Sequence, residues 1–205
     1  MNDVMSIADS LQVNARDSRR YFVAIAGPPG AGKTTFAGQL EQALPNGSAA
    51  ILQMDGFHYD NDVLDTMSLR PRKGAPETFD FAGFMSILRR LRSGEDDVAV
   101  PVFDRALDVA RAGARVIPQS VKFILVEGNY LLLQEEPWWS LTDLFDHKIS
   151  LSVPREELER RLVSRWLEHG FDPNEALRRA GENDMRNVDR VLTRSNAPDV
   201  VVKHG

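Results

Sequence analysis

Residues 27–34 read GPPGAGKT, the complete pattern of a phosphate-binding loop. An apolar run at 21–26 precedes this loop, and a helical pattern from residue 34 to about residue 44 follows it. Glycines let successive backbone N–H groups turn towards phosphate oxygens, and the helix start adds a favourable dipole. The sequence therefore predicts a nucleoside triphosphate site, with Lys33 on the β- and γ-phosphates and Thr34 on Mg²⁺. The residues predicted to hold the nucleotide are Gly27, Gly30, Ala31, Gly32, Lys33, Thr34 and Thr35.

Two carboxylates follow apolar runs farther along the chain. Asp55 comes at the end of a predicted second strand, residues 49–54, and Glu127 follows the apolar run 123–126. Ligands of parallel α/β sheets sit outside the carboxyl ends of the strands, so both side chains should lie beside the phosphate loop. Asp55 could deprotonate an attacking hydroxyl, and Glu127 could hold Mg²⁺ with Thr34, although their division of roles stays open. Each could instead cap a helix or form a turn.

Alternation of predicted strands and helices favours an α/β fold with a parallel sheet and right-handed crossovers. We predict one domain over residues 1–205. Within it, residues 1–19 would carry a short helix, with Ile7, Leu11 and Val13 against the domain, and residues 154–193 would form lid and C-terminal helices.

Local signals predict several helix ends. Gly94 would stop a helix whose apolar residues recur from residue 81 to residue 91. Pro154 suits a first helical position, and Asp172 opens an acidic variant of the capping box, for a helix that continues to about residue 191.

Two further expectations concern the middle of the chain and the tryptophans. Residues 104–113 read as a loop between short extended pieces at 98–103 and 115–117. Trp138, Trp139 and Trp166 read mainly as packing residues.

Composition restricts the class of protein. A chain of 205 residues, 42% hydrophobic and 27% charged, can bury a substantial core. The net charge of −5 disfavours a nucleic-acid partner, and the lack of cysteine excludes thiol catalysis and thiolate metal sites. Without a long apolar stretch or a basic leader, we expect a cytoplasmic protein with no membrane partner. The oligomeric state stays open, a homodimer included.

Four ordered segments resemble the type I pantothenate kinase and uridine kinase group, to whose wider family the phosphoribulokinases belong. The segments are MDGFH at 54–58, RKGAPETFD at 72–80, VPVF at 100–103 and EG at 127–128. The resemblance implies a P-loop nucleoside triphosphate hydrolase fold of the kinase type, with a mostly parallel five-stranded sheet flanked by helices and a C-terminal helical lid. It also implies ATP and Mg²⁺ as cofactors, Asp55 as the base and Glu127 as a residue that assists the metal.

The acceptor end departs from that family pattern. Pantothenate kinases carry Tyr-Ser-His where this chain has Phe103, Asp104 and Arg105, and Glu-Gly-Leu-Asn where it has EGNY at 127–130. Small relatives with the DGFH and EGNY patterns are described as nucleoside-kinase-like or fructokinase-like. A sugar is therefore our first expectation for the acceptor, with a nucleoside or pantothenate as alternatives.

Six polar residues are candidates to bind this acceptor, and each has an ordinary structural alternative. His58 could be a structural histidine, the basic residues could form a solvated run or a local salt bridge, and the residues after Glu127 could form a turn. The candidates are His58, Arg70, Lys73, Arg105, Asn129 and Tyr130.

The resemblance also places catalytic lid arginines on the helix after Pro154. Arg161 and Arg165 are four residues apart and would share one helical face, with a basic outer surface as the ordinary alternative. The hypothesis is therefore an ATP- and Mg²⁺-dependent kinase acting on a hydroxyl of a small molecule. Its rival is a nucleotide-dependent switch or ATPase, whose guanine-specific form is disfavoured because the chain has no N-K-x-D motif.

Overall fold

The computed structural model describes residues 3–203, which form an α/β fold around one parallel sheet. The strands are β1 Tyr21–Ala26, β2 Ala49–Gln53, β3 Val98–Asp104, β4 Val109–Ile117, β5 Phe123–Gly128, β6 His147–Ser152 and β7 Val200–Lys203. The helices are α1 Val4–Asn14, α2 Lys33–Ala43, α3 Asn61–Thr66, α4 Phe81–Ser93, α5 Arg155–Glu168, α6 Pro173–Arg179 and α7 Met185–Arg194. None of the helices in this part of the chain is long and apolar enough to cross a membrane.

The main sheet has five strands in the order β2-β5-β1-β6-β7, and each neighbouring pair is parallel. β1 and β5 are buried along their whole length, which explains why the sequence of each is an almost unbroken apolar run. The expected five-stranded sheet is confirmed. Its carboxyl edge brings together residues that lie far apart in the chain, because all of these strands run in the same direction.

Alternate residues of β1 face two different hydrophobic layers. Phe22 and Ala24 lie in a layer with α4 and the strand β3, whereas Val23 and Ile25 lie in a layer with α1, α2 and α5. The predicted N-terminal helix belongs to the second layer, through Ile7, Ala8 and Leu11. Val13, expected on the same face, is instead exposed.

The segment 104–113 is not the loop that the sequence indicated. β3 and β4 form an antiparallel hairpin from Val98 to Ile117, and only residues 105–108 turn between the strands. Most of β4 is exposed, so few large apolar residues mark it in the sequence. This hairpin is separate from the main sheet and packs against the turn that follows β2.

The C-terminal helices follow the predicted signals with two corrections. Pro154 is the cap that precedes α5, not its first residue, and Asp172 caps α6 through the backbone N–H groups of Asn174 and Glu175. The helix expected to reach residue 191 is interrupted by a π-helical turn at Ala180–Asp184 and then continues as α7 to Arg194. Gly94 ends α4 in the left-handed conformation, as the sequence indicated.

The tryptophans differ from one another. Trp138 is buried among aromatic rings, and Trp166 is half-buried on α5. Trp139, also expected to pack, is 53% exposed.

Candidate active site

The loop at 27–34 joins the end of β1 to the start of α2. Gly30 and Gly32 have φ angles of +81° and +84°, which residues with a Cβ atom rarely adopt, and Gly32 is the cap residue of α2. Ala31 is buried beneath the loop, while Thr34 and Thr35 lie exposed on the first turn of the helix. The backbone therefore takes the shape that turns several N–H groups towards one point, where an anion is favoured.

Lys33 is buried and bends back over its own loop. Its Nζ donates a hydrogen bond to the backbone oxygen of Pro28 at 3.0 Å. Burial lowers the pKa of Lys33, and the negative charges of Glu127 and Asp55 oppose that shift. The ammonium group therefore lies within the field of both carboxylates that the sequence singled out.

Glu127 is hydrogen-bonded to the phosphate loop. It is only 4% exposed, and its Oε1 accepts hydrogen bonds from Thr34 Oγ1 at 3.0 Å and from Gln53 Nε2 at 3.2 Å. Burial and the charge of Asp55 raise the pKa of Glu127, whereas Lys33 and the two hydrogen bonds lower it. A nearly buried carboxylate beside a hydroxyl is the hard-oxygen donor set that Mg²⁺ prefers.

Residues 3–203 contain no cluster of three or more acidic, histidine or cysteine residues that could hold a metal alone. Thr34 and Glu127 fit a site where Mg²⁺ takes its remaining ligands from water and phosphate oxygens. Sequence reasoning missed Gln53, which lies level with Glu127 across the β2–β5 pair. That register could not be read from the sequence.

Asp55 lies on a short 3₁₀ turn, Met54–Phe57, directly after β2. Its Oδ2 accepts a hydrogen bond from Nη2 of Arg105, in the turn of the β3–β4 hairpin, at 2.8 Å. The turn and the hairpin touch at Gly56, where an added Cβ would lie 2.7 Å from the backbone oxygen of Pro101. Only glycine allows this close approach, which brings Arg105 to Asp55.

His58 is packed between the rings of Phe79 and Phe103, with centroid distances of 4.0 and 4.9 Å. Its Nδ1 lies 2.8 Å from the backbone oxygen of Asp55, so we assign the proton to Nδ1. Burial lowers the pKa of His58, which keeps the ring neutral at pH 7. Nε2 is then unprotonated and can accept a hydrogen bond.

Lys73 is tied to the turn of the hairpin. Its Nζ donates to the backbone oxygen of Asp108 and to Oδ1 of Asn61, both at 2.7 Å, and lies 5.2 Å from the centre of the Phe103 ring. Its carboxylate partner is Asp108, at 2.9 Å. The charge of Lys73 is therefore already balanced.

The other acceptor candidates lie farther from this cluster or beneath it. Arg70 pairs with Asp65 at 3.1 Å on an exposed surface. Asn129 follows β5 directly at the carboxyl edge of the sheet. Tyr130 is fully buried, and its hydroxyl donates to the backbone oxygen of Gly74 at 2.6 Å. The structure thus gives Tyr130 an anchoring position under the segment that carries Lys73.

The two arginines predicted to belong to a lid differ in what they contact. Arg161 donates to the backbone oxygen of Gly30 at 3.3 Å and to Glu157 at 2.7 Å, so it already touches the phosphate loop. Arg165 instead pairs with Asp184, in the π-helical turn, at 3.1 Å. Asp184 also accepts a hydrogen bond from Trp166 Nε1 at 2.7 Å.

The same π-helical turn reaches residues 70–74, called the acceptor segment below because they include the predicted acceptor residues Arg70 and Lys73. Asn183 accepts a hydrogen bond from Arg72 at 2.6 Å and donates one to the backbone oxygen of Lys73 at 2.8 Å. The π-helical turn therefore contacts both α5, through Arg165, and the acceptor segment. Neither Asp184 nor Asn183 was a candidate from the sequence, because both read as part of a continuous helix.

Comparison with known proteins decides the family. The model of the phosphoribulokinase / uridine kinase family matches residues 22–194. The chain belongs to this family. The resemblance seen in the four segments is confirmed, as are the P-loop kinase fold and the assignment as an ATP-dependent small-molecule kinase.

Two relatives and one solved structure illustrate the similarity. "Uncharacterized protein YggC" of Escherichia coli is 38% identical over 90% of this chain and 78% of its own. "Putative uridine kinase C227.14" of Schizosaccharomyces pombe is 32% identical over 92% and 85%. A "putative fructose transport system kinase" from Silicibacter has a TM-score of 0.93, with 39% identity over 98% of both chains. The kinase is thus similar to proteins whose names point to different acceptors.

Proposed function

We propose that this kinase transfers the γ-phosphoryl group of ATP, bound with Mg²⁺, to a hydroxyl of a small polyhydroxylated molecule, with a sugar as the first choice. One observation carries the proposal. Gln53, two residues before Asp55, donates a hydrogen bond to Oε1 of Glu127, which also accepts one from Thr34 of the loop. The turn that carries the candidate base therefore lies beside the phosphate loop, as an in-line transfer requires.

Each residue of the phosphate end has a role in this proposal. Backbone N–H groups of residues 27–35 and the ammonium of Lys33 hold the phosphates. Thr34 and Glu127 hold Mg²⁺, which supplies charge neutralisation on the phosphate oxygens when bound. Arg161, already on the loop, and Arg165 close over the phosphates and exclude water. Preorganised charges of this kind account for most of the rate in phosphoryl transfer.

The acceptor hydroxyl would approach Asp55, which takes its proton. Nε2 of His58 can accept a hydrogen bond from a second hydroxyl, because its ring is neutral and Nδ1 is directed to the Asp55 backbone oxygen. A substrate with several hydroxyl groups could donate one to the Asp55 carboxylate and another to Nε2 of His58. Arg70, Lys73, Arg105 and Asn129 remain predicted acceptor residues, and Tyr130 would act by anchoring the segment at Gly74.

Support for a sugar comes from the 39% identical structure described as a "putative fructose transport system kinase". A nucleoside is the alternative, since a 32% identical relative is described as a "putative uridine kinase". Pantothenate is a further alternative, since a 30% identical relative is described as a pantothenate kinase. A switch or simple ATPase is the alternative of another class.

An acceptor screen tests this function. The purified chain with ATP and Mg²⁺ is given sugars, nucleosides and pantothenate in turn, and ADP release and product mass are recorded. We expect ADP release to depend on one class of acceptor, with a phosphorylated product of matching mass. ATP hydrolysis that no small molecule stimulates, but that a protein partner does, would contradict the proposal and support the switch.

A further inference from the structure

Arg105, in the turn of the β3–β4 hairpin, forms an ion pair with the candidate base. Its guanidinium donates to the carboxylate of Asp55, the candidate base, at 2.8 Å. An acceptor hydroxyl that approaches this oxygen therefore has to share it with a guanidinium. Movement of Arg105 to another partner would leave the carboxylate to the hydroxyl alone.

The pair is easy to separate. The side chain of Arg105 is 63% exposed and that of Asp55 is 24% exposed. Ion pairs in such open positions contribute little to stability, because water competes for both charges. Arg105 also lies in the four-residue turn of the hairpin, 105–108, so it can move without disturbing the strand pairing.

The other acidic side chains described near Arg105 already have partners of their own. Asp108 is engaged with Lys73, and Asp104 pairs with Arg111 at 3.3 Å. Glu127 is nearly buried and already bonded to Thr34 and Gln53. His58 is neutral and brings no charge. Among the described residues of this cluster, the counter-ion of Arg105 is the base itself.

We propose that the acceptor carries an anionic group, a carboxylate or a phosphate, close to its reacting hydroxyl, and that Arg105 moves from Asp55 to this group when the acceptor binds. The inference rests on the proposed function and deepens it, since a sugar acid or sugar phosphate replaces a neutral sugar. A guanidinium binds either anion through two parallel hydrogen bonds, a geometry that a neutral hydroxyl cannot match. Binding of the correct acceptor then frees the base.

Pairs of acceptors that differ in charge test this inference: glycerol with glycerate, glucose with gluconate, and fructose with fructose 6-phosphate. For the wild type we expect the anionic member of at least one pair to have the higher kcat/KM, by about 10- to 100-fold, the effect of one charge-assisted interaction. The first two pairs report a carboxylate, and the third reports a phosphate. A wild type that prefers the neutral members would overturn the inference.

Variants of the hairpin assign the preference to one residue. Arg105→Gln should remove the preference by lowering kcat/KM for the anion only, and Arg105→Lys should keep part of it because the charge remains. Arg111→Gln is the matched control, since Arg111 is 60% exposed on the same hairpin and pairs with Asp104 instead. It should leave the preference unchanged. Equal losses on both members in Arg105→Gln would mean that Arg105 serves the phosphates of ATP, and would refute the inference.

The outcomes also separate this inference from the proposed function. If a neutral sugar is phosphorylated efficiently and the reaction depends on Asp55, the function stands and the anionic acceptor is wrong. If a nucleoside increases ADP release and no member of any pair does, the kinase function stands and the anionic acceptor is wrong. If no small molecule of the pairs or of the acceptor screen increases ADP release over the basal rate, both are contradicted.

Discussion

The two ends of the candidate active site are built in different ways. The phosphate end comes from one continuous segment, residues 27–35, completed by Glu127. The acceptor end is assembled from the segment after β2, the β3–β4 hairpin and the π-helical turn, which meet through side-chain contacts such as Arg105–Asp55 and Arg72–Asn183. A phosphate loop formed by one segment can bind nucleotides in the same way throughout a large family. An acceptor site formed by several segments can change its specificity through a few substitutions.

The largest effect is expected from a substitution at the acceptor end, which should lower turnover without weakening nucleotide binding. Asp55→Asn removes the proton acceptor but keeps the shape, so turnover should fall by about 10²–10⁴, the usual range for loss of a general base. Nucleotide affinity should stay close to that of the wild type. Steady-state kinetics and a titration with ADP check the two halves of this expectation. Undiminished transfer to the true acceptor would show that Asp55 is not the base.

A change at the phosphate end should lower both turnover and nucleotide affinity. Lys33→Ala removes a buried ammonium from the loop, so we expect turnover to fall by about 10²–10³, as when one preorganised donor is removed. ATP binding should weaken in the same variant, in contrast to Asp55→Asn. Measurements of kcat and of the ATP dissociation constant distinguish the two patterns, and unchanged activity would remove Lys33 from the mechanism.

A smaller effect is expected on the metal. Glu127→Gln keeps an oxygen that can accept from Thr34 and Gln53 but removes the charge, so Mg²⁺ affinity should fall by about 10- to 100-fold. The Mg²⁺ dependence of ADP binding measures this directly. If that dependence is the same in the variant, Glu127 supports the loop without assisting the metal.

The smallest effect concerns the scaffold of the acceptor end. Tyr130→Phe removes the hydrogen bond to the Gly74 backbone oxygen, so the free energy of unfolding should fall by about 1 kcal/mol. Urea denaturation measures the loss, and KM for the acceptor should rise while nucleotide affinity stays constant. Tyr59→Phe is the control, because the Tyr59 hydroxyl makes no hydrogen bond to the rest of the described chain, residues 3–203. Equal destabilisation by both changes would argue against the anchoring role.

Sequence reasoning performed unequally on these two ends. The bounds of β1, the glycine conformations of the loop and the stop at Gly94 were readable because each depends on neighbouring residues. Extended pieces at 98–103 and 115–117 were predicted, but residues 109–114 of β4 were missed, because an exposed strand with small and charged residues lacks the alternation that marks a half-buried strand. The π-helical turn was missed because AGEND at 180–184 carries no signal that separates it from a regular helix.

Among the candidate site residues, the outcome again depended on distance along the chain. The sequence placed Asp55 and Glu127 at the carboxyl edge of the sheet because each comes at the end of a parallel strand, and their roles stay predictions. Gln53, Asn183 and Asp184 were not found, since only the packing of distant segments brings them to the site. The burial of Tyr130 and the exposure of Trp139 likewise follow from which neighbours cover them.

The amino-acid order alone was enough to specify a phosphate-binding loop, a parallel sheet and the carboxylates at its edge, because short-range backbone geometry and apolar periodicity act within a few residues. Tertiary folding decided that Arg105 pairs with Asp55 and that Lys73 pairs with Asp108. It also decided that α5 and the acceptor segment both contact the π-helical turn. These contacts join residues separated by up to 110 positions. Their partners depend on how whole elements pack, and no local pattern records that.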